Sequence, residues 1–355
     1  MAPSGRLITP LALIISAFAS ASTVDARPPK IGKPIPVTPT PMPPLPPAVI
    51  DNTLAIGGND INARKVETRM TVDVLVNGRG PYRFLVDSGA DTSVVGLRVA
   101  QDLRLPIGTP AILHGITASA RVDRVRVNEL KFGAATFRDL ELPALREDDL
   151  GGAGMIGIDA LVEQRLMMDF EKRIIKAEDA RIPAKMMDGE IVVTARRRRG
   201  QLILTQVKAA GLSVEAVVDT GSQITIGNMA LRDKLIRKKR GKFSTVSVTG
   251  VTGVTIDLQL AVIPELRLGS VILRDVPIAF ADVPPFAVFG MSKDPSLLLG
   301  SDLLEVFRRV SLDFRARKVR FQLRRCGATA IMFGTSPTES VSRIFSGEDA
   351  VVCKR

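Results

Sequence analysis

Two stretches of the chain run an apolar strand directly into an acid, a hydroxyl and a glycine. The first reads Phe84-Leu85-Val86-Asp87-Ser88-Gly89 and the second Ala216-Val217-Val218-Asp219-Thr220-Gly221, with the two acids 132 residues apart. Val86 and Val218 put each carboxyl at the edge of an apolar core, and the glycine allows a tight turn immediately after it. The Ser or Thr hydroxyl can bond across to a partner loop. Two such loops meeting at a pseudo-twofold axis bring Asp87 and Asp219 within hydrogen-bond distance. Like charges that close cannot both ionise, so the pair holds one proton. One carboxylate then serves as general base toward a water, the other as general acid toward a carbonyl oxygen.

Composition narrows the alternatives. The 355 residues include one His (His114), one Tyr (Tyr82), no Trp and two Cys. A single His excludes a multi-His metal site. The scarcity of Trp and Tyr argues against a base-stacking surface, so nucleic acid is not expected as a partner. Carboxylates remain as the catalytic groups, and neither a metal nor a cofactor is called for.

The two acid loops belong to a longer repeat. His114-Gly115-Ile116-Thr117 corresponds to Thr249-Gly250-Val251-Thr252, and Met155-Ile156-Gly157-Ile158-Asp159-Ala160-Leu161 to Leu298-Leu299-Gly300-Ser301-Asp302-Leu303-Leu304. Met168-Asp169-Phe170 corresponds to Leu312-Asp313-Phe314. Landmarks recurring in one order imply two homologous lobes. Between them lie short alternating runs such as Val72, Val74 and Val76, punctuated by turn signals such as Asn77-Gly78, which is a strand pattern. Short helices are expected over Gly96 to Leu103, Asn228 to Ile236, Asp159 to Leu166 and Asp302 to Arg309. Asp159 and Asp302 read as helix N-caps, Asp169 and Asp313 as strand-turn residues, and His114 as a surface residue. The expected fold is mainly β: two homologous β-barrel lobes related by pseudo-twofold symmetry, residues 51–181 and 190–325, joined by a linker over 182–189.

The termini carry other signals. Arg6, an apolar run from Leu11 to Phe18 and the small residues Ala19-Ser20-Ala21 have the layout of a secretory signal peptide over residues 1–21. Residues 22–50 are proline-rich, with ten prolines between Pro28 and Pro47, and read as an extended spacer. The mature chain is thus expected in a periplasm or secreted. Cys326 and Cys353 lie in the tail, 326–355, where an oxidising compartment permits a disulfide. The net charge is +12. Two basic clusters, Arg196–Arg199 and Arg237–Lys242, are candidate contacts to an anionic membrane or envelope surface.

The Phe84-to-Ser93 stretch, followed by Met155-Ile156-Gly157-Ile158-Asp159-Ala160-Leu161, resembles the retropepsin-like aspartic proteases. The second lobe carries the same pair of motifs, and the resemblance covers about residues 65–325. It implies that Asp87 and Asp219 are the catalytic pair, that Ser88 and Thr220 cross-link the loops, and that Gly89 and Gly221 make the turns. Asp91 matches a position that binds the substrate backbone; lobe two has the uncharged Gln223 there. Gly157 and Gly300 match glycines of the strand supporting each loop, and Gly115 and Gly250 mark candidate flap tips over an extended peptide. Ser222 stands where lobe one has Ala90. A hydroxyl beside Asp219 would favour its charge and leave the shared proton on Asp87. The expected activity is an exported, monomeric aspartic endopeptidase acting on a polypeptide. A non-catalytic peptide-binding or interaction module on the same fold is the alternative.

Overall fold

The computed structural model describes residues 32–37, 60–66, 69–133, 135–161, 164–184, 190–236 and 243–324. The proposed signal peptide, the second basic cluster Arg237–Lys242, and Cys326 and Cys353 lie outside the described residues.

Strands dominate, and each lobe repeats one motif. In lobe one, Arg69–Val76 and Arg79–Val86 form a hairpin. The short strand Gly154–Ile156 then runs parallel to the end of Arg79–Val86, pairing Ile156 with Val86, and antiparallel to Val94–Gly96. In lobe two, Gln201–Ala209 and Leu212–Val218 form the matching hairpin. Ser296–Leu299 runs parallel to its second strand, pairing Leu299 with Val218, and antiparallel to Ile226–Gly227. Strands covered on both faces read as continuous apolar runs. Phe84, Leu85 and Val86 are accordingly all buried, as are Ala216, Val217 and Val218. Each acid thus leaves the buried end of its strand.

The lobes are joined by a six-stranded antiparallel sheet. Lobe one contributes Asp60–Val66, Ile174–Asp179 and Gln164–Asp169; lobe two contributes Phe307–Asp313, Lys318–Leu323 and Glu190–Arg198. At the seam Leu166 pairs with Leu312 and Met168 with Val310, all four buried. On the opposite face two ion pairs cross the seam reciprocally. Arg165 Nε donates to Asp313 Oδ2 at 3.1 Å, and Arg309 Nε to Asp169 Oδ2 at 2.5 Å. The same acids close the hairpin turns that follow, accepting from Lys172 N at 2.8 Å and Ala316 N at 2.7 Å.

Two expectations are corrected. The helices anticipated over Asp159 to Leu166 and Asp302 to Arg309 shrink to the single turns Ile158–Ala160 and Ser301–Leu304. The seam strands Gln164–Asp169 and Phe307–Asp313 begin inside those ranges, because Leu166 and Met168 alternate with polar or less buried neighbours at the strand period. The helices Leu97–Asp102 and Met229–Ile236 fall inside their anticipated ranges. The proline-rich segment is also more than a spacer. Ile35–Val37 pairs antiparallel with Ser119–Val122, and Gly32 N donates to Asp123 Oδ2 at 2.9 Å. Pro36 is tolerated because this is an edge strand. The expected linker is described only over 182–184, where Ile182 O accepts from Arg165.

The buried seam pairs predict a stability cost. Asp313→Leu takes from the buried Arg165 its one buried acid, leaving it the more exposed Glu178 at 3.1 Å and Ile182 O, and is expected to cost about 2 kcal/mol, read from the midpoint and slope of urea unfolding. An unchanged midpoint would show that the seam does not rely on this pair.

Candidate active site

Each acid is fixed from behind by the parallel strand of its own lobe. Asp87 N donates to Ile156 O at 2.9 Å and Asp219 N to Leu299 O at 3.0 Å. Each carboxylate also caps its own turn. Asp87 Oδ1 accepts from Gly89 N and Ala90 N at 2.7 and 3.1 Å, and Asp219 Oδ1 from Gly221 N and Ser222 N at 3.1 and 2.9 Å. The two loops meet face to face at the lobe boundary, close enough that the two carboxyls titrate as a pair. A Cβ built on Gly89 would fall inside the Asp219 carboxyl, and one on Gly221 inside Asp87. Only glycine lets the loops approach this closely.

Four hydrogen bonds lock the loops together. Ser88 N donates to Thr220 Oγ1 at 2.9 Å, and Thr220 Oγ1 donates to Val86 O at 2.8 Å. Reciprocally, Thr220 N donates to Ser88 Oγ at 3.2 Å, and Ser88 Oγ to Val218 O at 2.8 Å. All are buried, so each hydroxyl spends its donor and one acceptor site on the other lobe's backbone.

Behind the loops, a second acid in each lobe acts as a clamp. The helix N-cap positions belong to Gly157 and Gly300, so the N-cap reading of Asp159 and Asp302 is corrected. Asp159 accepts from Ser93 N and Ser93 Oγ at 2.9 and 2.8 Å; Asp302 accepts from Thr225 N and Thr225 Oγ1 at 3.0 and 2.8 Å. Gly157 N and Gly300 N donate in turn to Ser93 Oγ and Thr225 Oγ1. A side chain at Gly157 would strike the Thr92 backbone, and one at Gly300 the Ile224 backbone. Ser93 and Thr225 each lie six residues past the loop acid. Burial raises both clamp acids, Asp302 to about 6.

The central pair is asymmetric, and it reverses the expected proton placement. The Ser222 hydroxyl donates to Ile224 O at 2.8 Å and so does not serve the Asp219 carboxylate. Burial pushes both carboxyls up. The charge of Asp87 drives Asp219 well above the usual carboxylate range, while the nearby Arg69 guanidinium favours ionised Asp87. The shared proton therefore belongs on Asp219. An ionised and a protonated carboxyl side by side can take a proton from a water and give one to an oxygen.

The pair lies in a cavity of about 920 Å³ between the lobes, which Asp91, Gln223, Gly115 and Gly250 also line. Asp91 Oδ1 accepts from Gln201 Nε2 at 3.0 Å, and the same amide nitrogen donates to Gly89 O at 3.0 Å. Gly115 and Gly250 sit at the tips of hairpins formed by Ala111–His114 with Ser119–Val122 and by Ser244–Thr249 with Thr255–Leu268. The tips touch across the cleft: a Cβ on Gly115 would lie 3.3 Å from Val251 Cγ2, and one on Gly250 would strike the Thr117 hydroxyl. The hydroxyls of Thr117 and Thr252 are buried there without a hydrogen-bond partner among the described residues. His114 is not a plain surface residue, since it lines the cleft and its Nδ1 lies 2.7 Å from Ser119 Oγ. In the first basic cluster, Arg196 pairs with Glu215 and Arg198 NH1 donates to Phe289 O. Among the described residues no three His, Cys, Asp or Glu side chains converge as a metal site requires.

Sequence reasoning missed Arg69 and Gln201, both buried at the lobe boundary. Each lies 18 residues ahead of its loop acid, so extending the repeat upstream would have exposed them.

A family model described as aspartyl protease matches residues 72–160 and again residues 205–303, once on each lobe. No curated protein matches. Among solved structures, an aspartic proteinase from Irpex lacteus is similar, with a TM-score of 0.47 at 11% identity over 76% of this chain and 98% of that one.

Two measurements follow from this geometry. Thr220→Val orphans the buried Ser88 N–H and Val86 carbonyl, and is expected to cost about 2–4 kcal/mol in chemical unfolding. Asp302 has its folded pKa raised from 3.8 to about 6, so the unfolded state ionises first and the native state loses stability as pH rises from about 4 to 6. Unfolding midpoints of wild type and Asp302→Asn across pH 4–7 should therefore converge toward higher pH. Parallel curves would remove the assignment.

Proposed function

The chain belongs to the aspartyl protease family, and on that premise we propose that it is an exported endopeptidase whose Asp87–Asp219 pair hydrolyses peptide bonds without a cofactor. The observation that carries this reading is the contact between two buried carboxyls at the base of a cleft roofed by two touching hairpins.

The steps follow from the proton placement. Ionised Asp87 removes a proton from a water as its oxygen bonds to the scissile carbonyl carbon. Asp219 gives its proton to the carbonyl oxygen, forming a neutral tetrahedral diol. Asp87, now protonated, then passes its proton to the amide nitrogen as the C–N bond breaks. One hydroxyl proton of the diol returns to Asp219, leaving a carboxylic acid and an amine. An extended substrate lies between the hairpins and the acid loops and bonds through its backbone as an added strand. The hairpin tips close over it and exclude water. Export rests on residues 1–21, with residues 22–50 standing between the signal and the lobes.

The catalytic form carries one proton on the pair. Because burial and mutual repulsion raise both carboxyls, with Asp219 the higher, activity should persist above the pH at which ordinary carboxylates are fully ionised. It is lost at lower pH as Asp87 protonates and at higher pH as Asp219 ionises. The test is digestion of an unfolded protein by the purified chain from pH 3 to 8, beside Asp87→Asn and Asp219→Asn. A bell-shaped profile in wild type with both variants inactive is expected. Equal activity in either variant would sink the shared-site reading, and peptide binding with no cleavage at any pH would support a binding module instead.

A further inference from the structure

Among the described residues the cleft is charged on one wall. Apart from the two central carboxyls, its lobe-one wall carries Asp91, Glu141, Asp148, Asp149, Arg69 and Arg124, whereas the described residues of its lobe-two wall include no Lys, Arg, Asp or Glu. The lobe-two wall is built from Gln223, hydroxyls and apolar side chains such as Ile226, Val248 and Phe289. The helical turns flanking the cleft differ in the same sense, Glu147–Leu150 reading EDDL in lobe one and Pro284–Val288 reading PPFAV in lobe two.

Most of the lobe-one charge is already neutralised. Glu141 pairs with Arg124 at 2.8 Å, Asp148 with Arg98 at 3.3 Å, and Asp149 with Arg146 at 3.9 Å. Arg69 NH1 donates to Leu150 O at 3.1 Å. Asp91 is different. Its Oδ1 is held by the neutral amide of Gln201, its Oδ2 accepts no hydrogen bond among the described residues, and the charge of Arg199 favours its ionised form. The amide also bonds Gly89 O, so the Asp91 carboxylate is fixed relative to the acid loop. A positioned, partly desolvated carboxylate with an open oxygen favours a cation over a neutral group.

The pseudo-twofold passes between Asp87 and Asp219, and the residue four past each acid is Asp91 in lobe one and Gln223 in lobe two. An extended peptide across the pair therefore meets a carboxylate on one side of its central bond and a neutral amide on the other. We propose that Asp91 determines specificity by pairing with a Lys or Arg side chain of the substrate on one side of the scissile bond, which also fixes the direction in which the peptide lies. This rests on the peptidase reading for its substrate class. It adds to the backbone contact implied by the resemblance a side-chain preference that arises only because the two lobes differ here.

The experiment is cleavage of a randomised decapeptide library with a fixed central apolar pair, with products sequenced by mass spectrometry, for wild type, Asp91→Asn and Gln223→Asp. Wild type should show Lys or Arg enriched about tenfold or more at one position on one side of the bond. Asp91→Asn should lose that enrichment, and Gln223→Asp should add a mirrored one on the other side. No positional enrichment, or enrichment surviving in Asp91→Asn, overturns the proposal. If the chain cleaves nothing, the same library is scored for retention on immobilised wild type and Asp91→Asn. Cation retention lost in the variant supports the Asp91 role while the peptidase reading fails. Retention without cation preference overturns the Asp91 role itself.

Discussion

Everything at the centre of this molecule depends on two hydroxyls that bond away from home. Two carboxyls repel when both are charged and lose water when buried, so no chain brings them together without compensation. Here Ser88 and Thr220 each accept an N–H from the opposite lobe and donate to a carbonyl there. These four bonds hold the strand ends in place, and the glycines beside them clear the space that the carboxyls occupy. The clamps of Asp159 on Ser93 and Asp302 on Thr225 then keep each loop from twisting away. The acids are positioned by backbone amides and buried strands rather than by each other, which is what permits them to remain in an unfavourable contact.

Duplication supplies the symmetry, and divergence uses it. The frame is common to both lobes: parallel strand behind the acid, glycine, clamp, hairpin. The cleft walls are not. Arg69 faces a counterpart Gln201, and Asp91 a counterpart Gln223, so charge gathers on lobe one. Arg69 on that wall is one of the groups that favour ionised Asp87, after the backbone amides of its own turn. The roof differs too, because the lobe-one hairpin carries an extra strand, Ile35–Val37, on its edge. Where the two tips meet, Thr117 and Thr252 bury hydroxyls without partners.

Much of this frame could be read from the sequence because it repeats. The convergence of the acid loops, the crossing hydroxyls and the need for Gly89 and Gly221 all follow from finding one motif twice. What escaped was decided by contacts between segments far apart in the chain. The stretches after Asp159 and Asp302 are short apolar runs that suit helix or strand equally, and pairing across the seam selects strand. Ser222 was assigned to the acid beside it, yet its hydroxyl turns to Ile224 O, a choice that only the folded loop decides. Ile35–Val37 looked like part of a polyproline spacer, and it is the open edge of Ser119–Val122 that makes it a strand.

The seam between the lobes is self-complementary in its register. Lobe one places a base at Arg165 and an acid at Asp169; lobe two places Arg309 and Asp313 at the same spacing, and each base meets the other's acid. An edge patterned in this way is complementary to a second copy of itself as well as to its present neighbour. Each half therefore carries, in one four-residue spacing, both members of the pair it needs from the other. Because both halves belong to one chain, their encounter is intramolecular, at an effective concentration set by the connecting segment. A single chain can thus keep the seam complementary while its two cleft walls differ.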